Sequence, residues 1–213
     1  SFEYDGVLID FEEIGLDPSS ADSDMQNFNA FLDELHRLLD GKSLSVAVPP
    51  LNGSFAGYDH AHIGKVADFL VIMAYGYEDR SVPTPTAPFS KVDEAVKLEM
   101  QVIDPQKIIL GIPAYGTLYA RDSEHTYLFS KPPAKDVEIG LPEYSSGNAA
   151  AKSFAPNYLC NRVKWQGQEL EYEGFLEDAL SLNVRINMAK RYGIKGVAIW
   201  RLGFITKTVL ALP

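Results

Sequence analysis

Five short apolar stretches constrain this chain more than anything else in it. They are residues 4–12, with Val7, Ile9 and Phe11, then Leu44–Val48, Phe69–Tyr75, Ile108–Pro113 and Gly196–Trp200. Between them, apolar residues recur at helical spacing. Phe28, Phe31, Leu32, Leu35, Leu38 and Leu39 follow Ser23, which has Gln26 three residues on as in a capping box, and Gly41 ends the run. A short helix is predicted near Tyr58–Ala67 and another through Val92, Ala95, Val96, Met100 and Ile103 up to Pro105. A third is predicted near Leu176–Tyr192 with Gly193 as its C-cap, and a last short one over Phe204–Leu212. Strands that are apolar throughout and alternate with helices belong in a parallel sheet buried on both faces. An open doubly wound sheet and a closed (β/α)8 barrel both satisfy that pattern. Regularity is lost from Thr117 to about Gly174, in a stretch rich in Tyr, Pro, Gly and Ser. Roughly 55 residues is too long for a loop in a compact domain, so an inserted subdomain is expected over residues 117–174, within a single domain spanning 1–213.

In parallel α/β folds, sites gather beyond the carboxyl ends of strands. Those ends carry Asp10 and Glu12, Pro49 and Pro50, Tyr75 and Tyr77, Tyr115, and Trp200 with Arg201. If residues 4–12 form one strand, its period of two puts Leu8, Asp10 and Glu12 on one face, with the two acidic Cβ atoms about 7 Å apart. One carboxylate then raises the pKa of the other, which is how a protein keeps an acid protonated near neutral pH. The same residues also read as a strand running out into a solvated acidic loop, because Glu13 follows directly. Acids ringed by Tyr and Trp suit a carbohydrate, since aromatic faces stack on sugar rings while phenols and carboxyls bond hydroxyls and amides. Taken singly, Tyr75 and Tyr115 also read as rim aromatics, and Trp200 as core filler.

Composition closes off other classes. A net charge of −10 argues against nucleic acid as a partner, because phosphates need a basic face. No apolar run reaches about 18 residues, so no membrane span is expected. At 46% apolar and 23% charged, the chain can bury a large core. The single cysteine, Cys160, excludes an internal disulfide framework, and no His near it in sequence makes it a nucleophile. Asp59-His60-Ala61-His62 has no second ligand cluster and reads as a solvated helix start rather than a metal site. Phosphate-binding glycine loops and a Gly-x-Ser-x-Gly elbow are absent. Glu177 and Asp178 read as favourable charges at the positive end of a helix dipole. None of these patterns points to a metal or to a bound cofactor. No signal peptide is visible and the first Met is Met25, so a fragment or processed product is expected.

The strand ends also carry a resemblance. Asp5-Gly6-Val7-Leu8-Ile9-Asp10-Phe11-Glu12 resembles the Asp-Gly-x-Asp-x-Asp-x-Glu signature of glycoside hydrolase family 18, the chitinase-like enzymes. Met73-Ala74-Tyr75 resembles that family's Met-x-Tyr-Asp, Leu110-Gly111-Ile112-Pro113-Ala114-Tyr115-Gly116 its Leu-Gly-Ile-Pro-x-Tyr-Gly, and Gly196–Gly203 its last strand ending in Trp. Four motifs occur in the family's order, with the flavour of its bacterial cell-wall and spore hydrolases.

The resemblance implies a (β/α)8 TIM-type barrel of which this chain carries strands four to eight, with an α+β insertion between strands seven and eight. Strands one to three have no counterpart here, so a partner chain or further segment is expected to complete the barrel. It implies a retaining hydrolase of β-1,4-linked N-acetylglucosamine polymers, chitin or peptidoglycan or a related glycan, working by substrate assistance. Glu12 would be the general acid, Asp10 would orient the acetamido group, and Tyr75 would bond its oxygen. Trp200 would floor the sugar subsite, with Met73, Tyr77, Tyr115 and Arg201 beside the substrate. A secreted or cell-surface location is expected. Two departures matter: Leu8 stands where the family has its middle Asp, and Gly76 where an Asp follows the Tyr. Both predict an altered pH range and a lower rate. They leave open a carbohydrate-binding relative without turnover, and an inert structural fragment.

Overall fold

The computed structural model describes residues 4–133 and 151–205. The chain forms two compact units of interleaved segments. Unit one is Ser1–Ala74, Asp93–Gly111 and Ala189–Ala198; unit two is Tyr75–Val92, Ile112–Met188 and Ile199–Pro213.

Unit one is built on a five-stranded sheet. Its strands are β1 (Gly6–Ile9), β2 (Ser43–Val48), β3 (Phe69–Ile72), β4 (Ile108–Pro113) and, last in the chain, β10 (Gly196–Trp200), and they lie in that order. The β1–β2, β2–β3 and β3–β4 pairs are parallel, with Ile9 opposite Val46 and Val48 opposite Ile72. Leu44 through Val48 are all buried, as are Ile108, Leu110 and Ile112, which is the mark of a sheet covered on both faces. Helices α1 (Ala21–Leu38) and α2 (His60–Val66) pack in this unit, with Phe28, Leu32 and Ile63 buried. The division between units passes through α3 (Phe89–Glu99) and α4 (Ala179–Tyr192), and it assigns the last two residues of β4 and of β10 to unit two.

Several boundaries differ from expectation. β1 stops at Ile9 instead of running to Glu12, so Leu8, Asp10 and Glu12 do not share a strand face. β1 is an edge strand, and past Ile9 the backbone is captured elsewhere: the Tyr58 hydroxyl donates to the Phe11 carbonyl at 2.7 Å. α1 begins at Ala21, before the expected cap at Ser23, because Ser20 precedes it and the Ser20 hydroxyl bonds the Asp24 carboxylate at 2.7 Å. β3 ends at Ile72, short of Tyr75. α4 starts at Ala179 because Asp178 accepts from the Leu180 and Ser181 amides. Leu202–Phe204 is a turn of 3-10 helix; the rest of the helix expected over Phe204–Leu212 lies mostly outside the described residues.

Unit two contains a second sheet where irregular chain was expected. Strands β5 (Thr117–Arg121), β6 (Thr126–Ser130), β7 (Ala151–Ala155), β8 (Cys160–Gln166) and β9 (Glu171–Leu176) pair antiparallel in the order β6-β5-β9-β8-β7. Among the described residues of this stretch the regular elements are strands; the rest of the expected α+β insertion, residues 134–150, lies outside the described residues. One apolar cluster joins Leu118, Val163, Trp165 and Leu176, and another joins Tyr119, Ala155, Cys160 and Phe175. In β8 charged and polar residues alternate with these, and the apolar runs of β5 and β6 are only three residues long.

Candidate active site

In unit one the two acids leave the carboxyl end of β1. Asp10 and Glu12 are both exposed. The loop holding them is fixed from behind. Phe11 stacks on Phe31 of α1, with ring centroids 5.5 Å apart, and lies 6.2 Å from Phe28. Tyr58, buried and edge-on to Phe28, donates its hydroxyl to Phe11 and accepts the Ile14 amide at 3.3 Å. Gly15, at φ +70°, meets Gly57 so closely that a Cβ on Gly15 would stand 2.6 Å from the Gly57 Cα. Only glycine fits that crossing. Burial lifts the Tyr58 phenol above its ordinary range, and the negative charges of Glu12, Asp10 and Glu13 push it the same way. The acids therefore lie within electrostatic reach of this hydroxyl. Sequence reasoning missed Tyr58, which sits at the start of a predicted helix with nothing to distinguish it. Met73, half-buried, donates its amide to the Val48 carbonyl at 2.9 Å.

In unit two the aromatic candidates cluster. Tyr75 and Tyr115 meet edge to face at 6.3 Å. The Lys131 ammonium lies over the Tyr115 ring, 5.9 Å from its centroid, and pairs with Glu78, whose side chain is 7% exposed. The Ala114 amide donates to the Trp200 carbonyl at 2.7 Å, and the Trp200 ring is half exposed, so it is not core filler. Arg201 lies over the Phe204 ring, 4.4 Å from its centroid. Thr86 holds the segment after Tyr75, accepting the Gly76 amide on its hydroxyl and the Tyr77 amide on its carbonyl. Gly76, which stands where the family pattern has an Asp, has φ +84°, in the left-handed region that glycine adopts freely. Glu78 and Lys131 carried no signal in the sequence: Glu78 follows Tyr77 outside any apolar run, and Lys131 falls in the stretch read as irregular.

The remaining polar groups resolve structurally. His60 is buried against Glu99 at 3.0 Å rather than solvated, because the first turn of α2 faces inward, while His62 bonds Asp33 at 3.0 Å. Among the described residues no group of three His, Cys, Asp or Glu is placed to hold a metal. Cys160 is buried and its thiol is pushed up to about 12 by desolvation, then by the Glu177 charge, so it is no thiolate nucleophile. Asp178 caps α4, as expected. Glu177 does not act as a surface charge on the dipole: it is buried and paired with Arg185 at 2.9 Å.

Comparison with known proteins adds to this geometry. The family model described as glycosyl hydrolases family 18 matches residues 1–204. The chain is 27% identical to the sporulation-specific glycosylase YdhD of Bacillus subtilis, a name given with the qualifier "putative", over 93% of this chain and 47% of the relative. It is likewise 27% identical to a cortical fragment-lytic enzyme of Bacillus anthracis, over 92% of this chain and 46% of the relative. The chain thus spans about half the length of these curated relatives. The crystal structure of the Bacillus cereus spore cortex-lytic enzyme SleL superposes with a TM-score of 0.81 at 23% identity, covering 95% of this chain and 47% of that one. The C-terminal domain of a Desulfitobacterium hafniense chitinase, also titled "putative", gives 0.80 at 25% identity, covering 96% and 64%.

Proposed function

The chain belongs to glycosyl hydrolases family 18, and we propose on that footing that it is a retaining glycoside hydrolase of β-1,4-linked N-acetylglucosamine polymers, chitin or peptidoglycan. The observation that carries this reading is the placement of Asp10 and Glu12 directly past the carboxyl end of β1, on a loop anchored by Tyr58 and by the Gly15–Gly57 crossing. In this reading Glu12 protonates the glycosidic oxygen as the leaving sugar departs. The acetamido oxygen of the substrate attacks the anomeric carbon, giving an oxazolinium intermediate. Asp10 holds the acetamido N–H and offsets the developing positive charge. Tyr75 bonds the acetamido oxygen, and Trp200 stacks under the sugar, with Met73, Tyr77, Tyr115 and Arg201 around it. Glu12 then takes a proton from the incoming water, and configuration is retained. The fold proposed to go with this activity is a (β/α)8 barrel, with β1 to β4 and β10 in the places of strands four to eight and a further segment or partner chain completing it. A secreted or cell-surface location follows from polymers of this kind being extracellular.

Incubation with chitooligosaccharides and with peptidoglycan tests the activity. Glu12→Gln is expected to reduce turnover by about 10²–10⁴-fold while leaving oligosaccharide binding in place. Unchanged turnover in that variant would remove Glu12 from its role. A second reading, sugar binding without turnover, is favoured by Leu8 and Gly76, which stand where the family pattern has acids. Calorimetric binding of chitooligosaccharide with no product from the unsubstituted protein would decide for it.

A further inference from the structure

Unit two carries a solvent-open pocket of about 330 Å³ that none of the candidate catalytic residues lines, with Arg121, Lys164, Gln166 and Glu171 exposed at it. Two cross-strand rows of β5, β9 and β8 form its wall. Tyr119, Glu173 and Lys164 make the inner row, and Arg121, Glu171 and Gln166 the outer one. Residues two apart on a strand share a face, so the rows lie on one side of the sheet. The inner row is already engaged. The Tyr119 hydroxyl donates to the Asp79 carbonyl at 2.6 Å, and Glu173 is paired with Lys164 at 3.1 Å and Arg162 at 3.5 Å.

The outer row is not engaged in the same way. Among the described residues Arg121 bonds only through its Nε, to the Thr126 hydroxyl at 2.9 Å, and its terminal nitrogens have no partner there. Glu171 has no ion pair or side-chain hydrogen bond among the described residues. These two stand directly opposite each other in the β5–β9 ladder, where facing Cβ atoms are about 5 Å apart, yet no ion pair joins them. A neutral sugar would use neither charge. A simple anion would meet Glu171 and Glu173, and a simple cation would meet Arg121 and Lys164. A short ligand carrying both charges satisfies both open groups at once.

We propose that this pocket binds a zwitterionic amino acid or short peptide, with its carboxylate on Arg121 and its ammonium on Glu171. The binding stands on unit two alone. Its bearing on substrate choice rests on the hydrolase reading above: peptidoglycan carries peptides and chitin does not.

The test is an NMR titration of the protein with alanylalanine bearing free termini, beside its N-acetyl and C-amide derivatives and di-N-acetylchitobiose. Saturable shifts are expected in residues 119–121, 164–166 and 171–173. Blocking either terminus, or making Arg121→Gln or Glu171→Gln, should weaken binding about fivefold, the scale of an exposed charge pair. Turnover of chitooligosaccharides should be unchanged in both variants. The proposal is overturned by an absence of saturable shifts up to about 50 mM, a range that covers millimolar affinity. Equal binding of the blocked dipeptides, or chitobiose taking the pocket instead, overturns it as well. Dipeptide binding without any polymer cleavage keeps this site and removes the hydrolase reading. Glu12-dependent cleavage with no dipeptide binding does the reverse.

Discussion

The two sheets of this chain bury their residues by opposite rules. In β2 every residue from Leu44 to Val48 is buried, whereas in β8 burial is confined to Cys160, Val163 and Trp165, with Asn161, Arg162, Lys164 and Gln166 between them. A parallel strand inside a layered α/β fold has no wet face, so it must be apolar throughout. An antiparallel strand tolerates a polar residue at each alternate place if that residue finds a partner. Unit two provides such partners: Glu173 takes Arg162 and Lys164, and Asp178 takes Lys152 and Asn161. Strands β2 and β4 of the first sheet are held by burial on both faces, the second sheet by apolar clusters with ion pairs threaded among them.

Replacing the ion pair that lies deepest in unit two tests that contrast most severely. Arg185 is buried, and it bonds Glu177, the Ser181 carbonyl and the Ala87 carbonyl. Arg185→Met leaves Glu177 uncompensated and should lower stability by about 3–5 kcal/mol, read by chemical denaturation. A loss below about 1 kcal/mol would mean that the pair is not structural. In unit one the matching experiment is apolar. Leu70→Ala, at a fully buried position of β3, should cost about 3 kcal/mol, and Val163→Ala in β8 about 1 kcal/mol, because fewer atoms are removed from a less enclosed site. Equal losses would erase the distinction between the sheets.

The pH dependence sharpens the comparison further. Burial pushes the Glu177 carboxyl up, to about 7, against the pull of Arg185. An acid raised in the folded state binds its proton more tightly there than in the unfolded chain. Its contribution to stability is therefore full below its ordinary value of 4.5, falls as pH climbs toward about 7, and is level above that. Glu177→Gln should flatten that slope in denaturation curves taken between pH 5 and 8, whereas Leu70→Ala should leave it intact. In unit one an effect on stability as small as that of Val163→Ala is expected from Tyr58→Phe. It removes the donor to Phe11 and the acceptor for Ile14, and should cost about 1 kcal/mol. Because the lost bonds anchor the acidic loop, turnover should fall more than stability does. A variant with full activity would show that Phe11 stacking alone holds the loop.

Most of unit one was legible because its information is local. The apolar runs around Val46, Leu70 and Leu110 announce parallel strands residue by residue, and the Phe28–Leu32 spacing announces α1. The acids at 10 and 12 stood out as a candidate site because they follow such a run. The antiparallel sheet was not, since Lys164-Trp165-Gln166 or Glu173-Gly174-Phe175 looks like loop until its neighbours are known. The candidate site was likewise half legible. Tyr75, Tyr115 and Trp200 sit at recognisable strand ends, while Tyr58, Glu78 and Lys131 matter through contacts that no pattern records.

By itself, then, the order of residues determined the parallel strands, the helices between them and the acidic pair that follows the first strand. Tertiary structure alone decided where that strand ends, since the hydroxyl that captures the Phe11 carbonyl comes from 47 positions away. It alone placed Arg185 against a carbonyl 98 positions distant and turned His60 inward onto Glu99. The physical reason is common to all three. Hydrophobic periodicity registers how much of each side chain leaves water, whereas a hydrogen bond depends on which distant partner is waiting there, and no local pattern carries that.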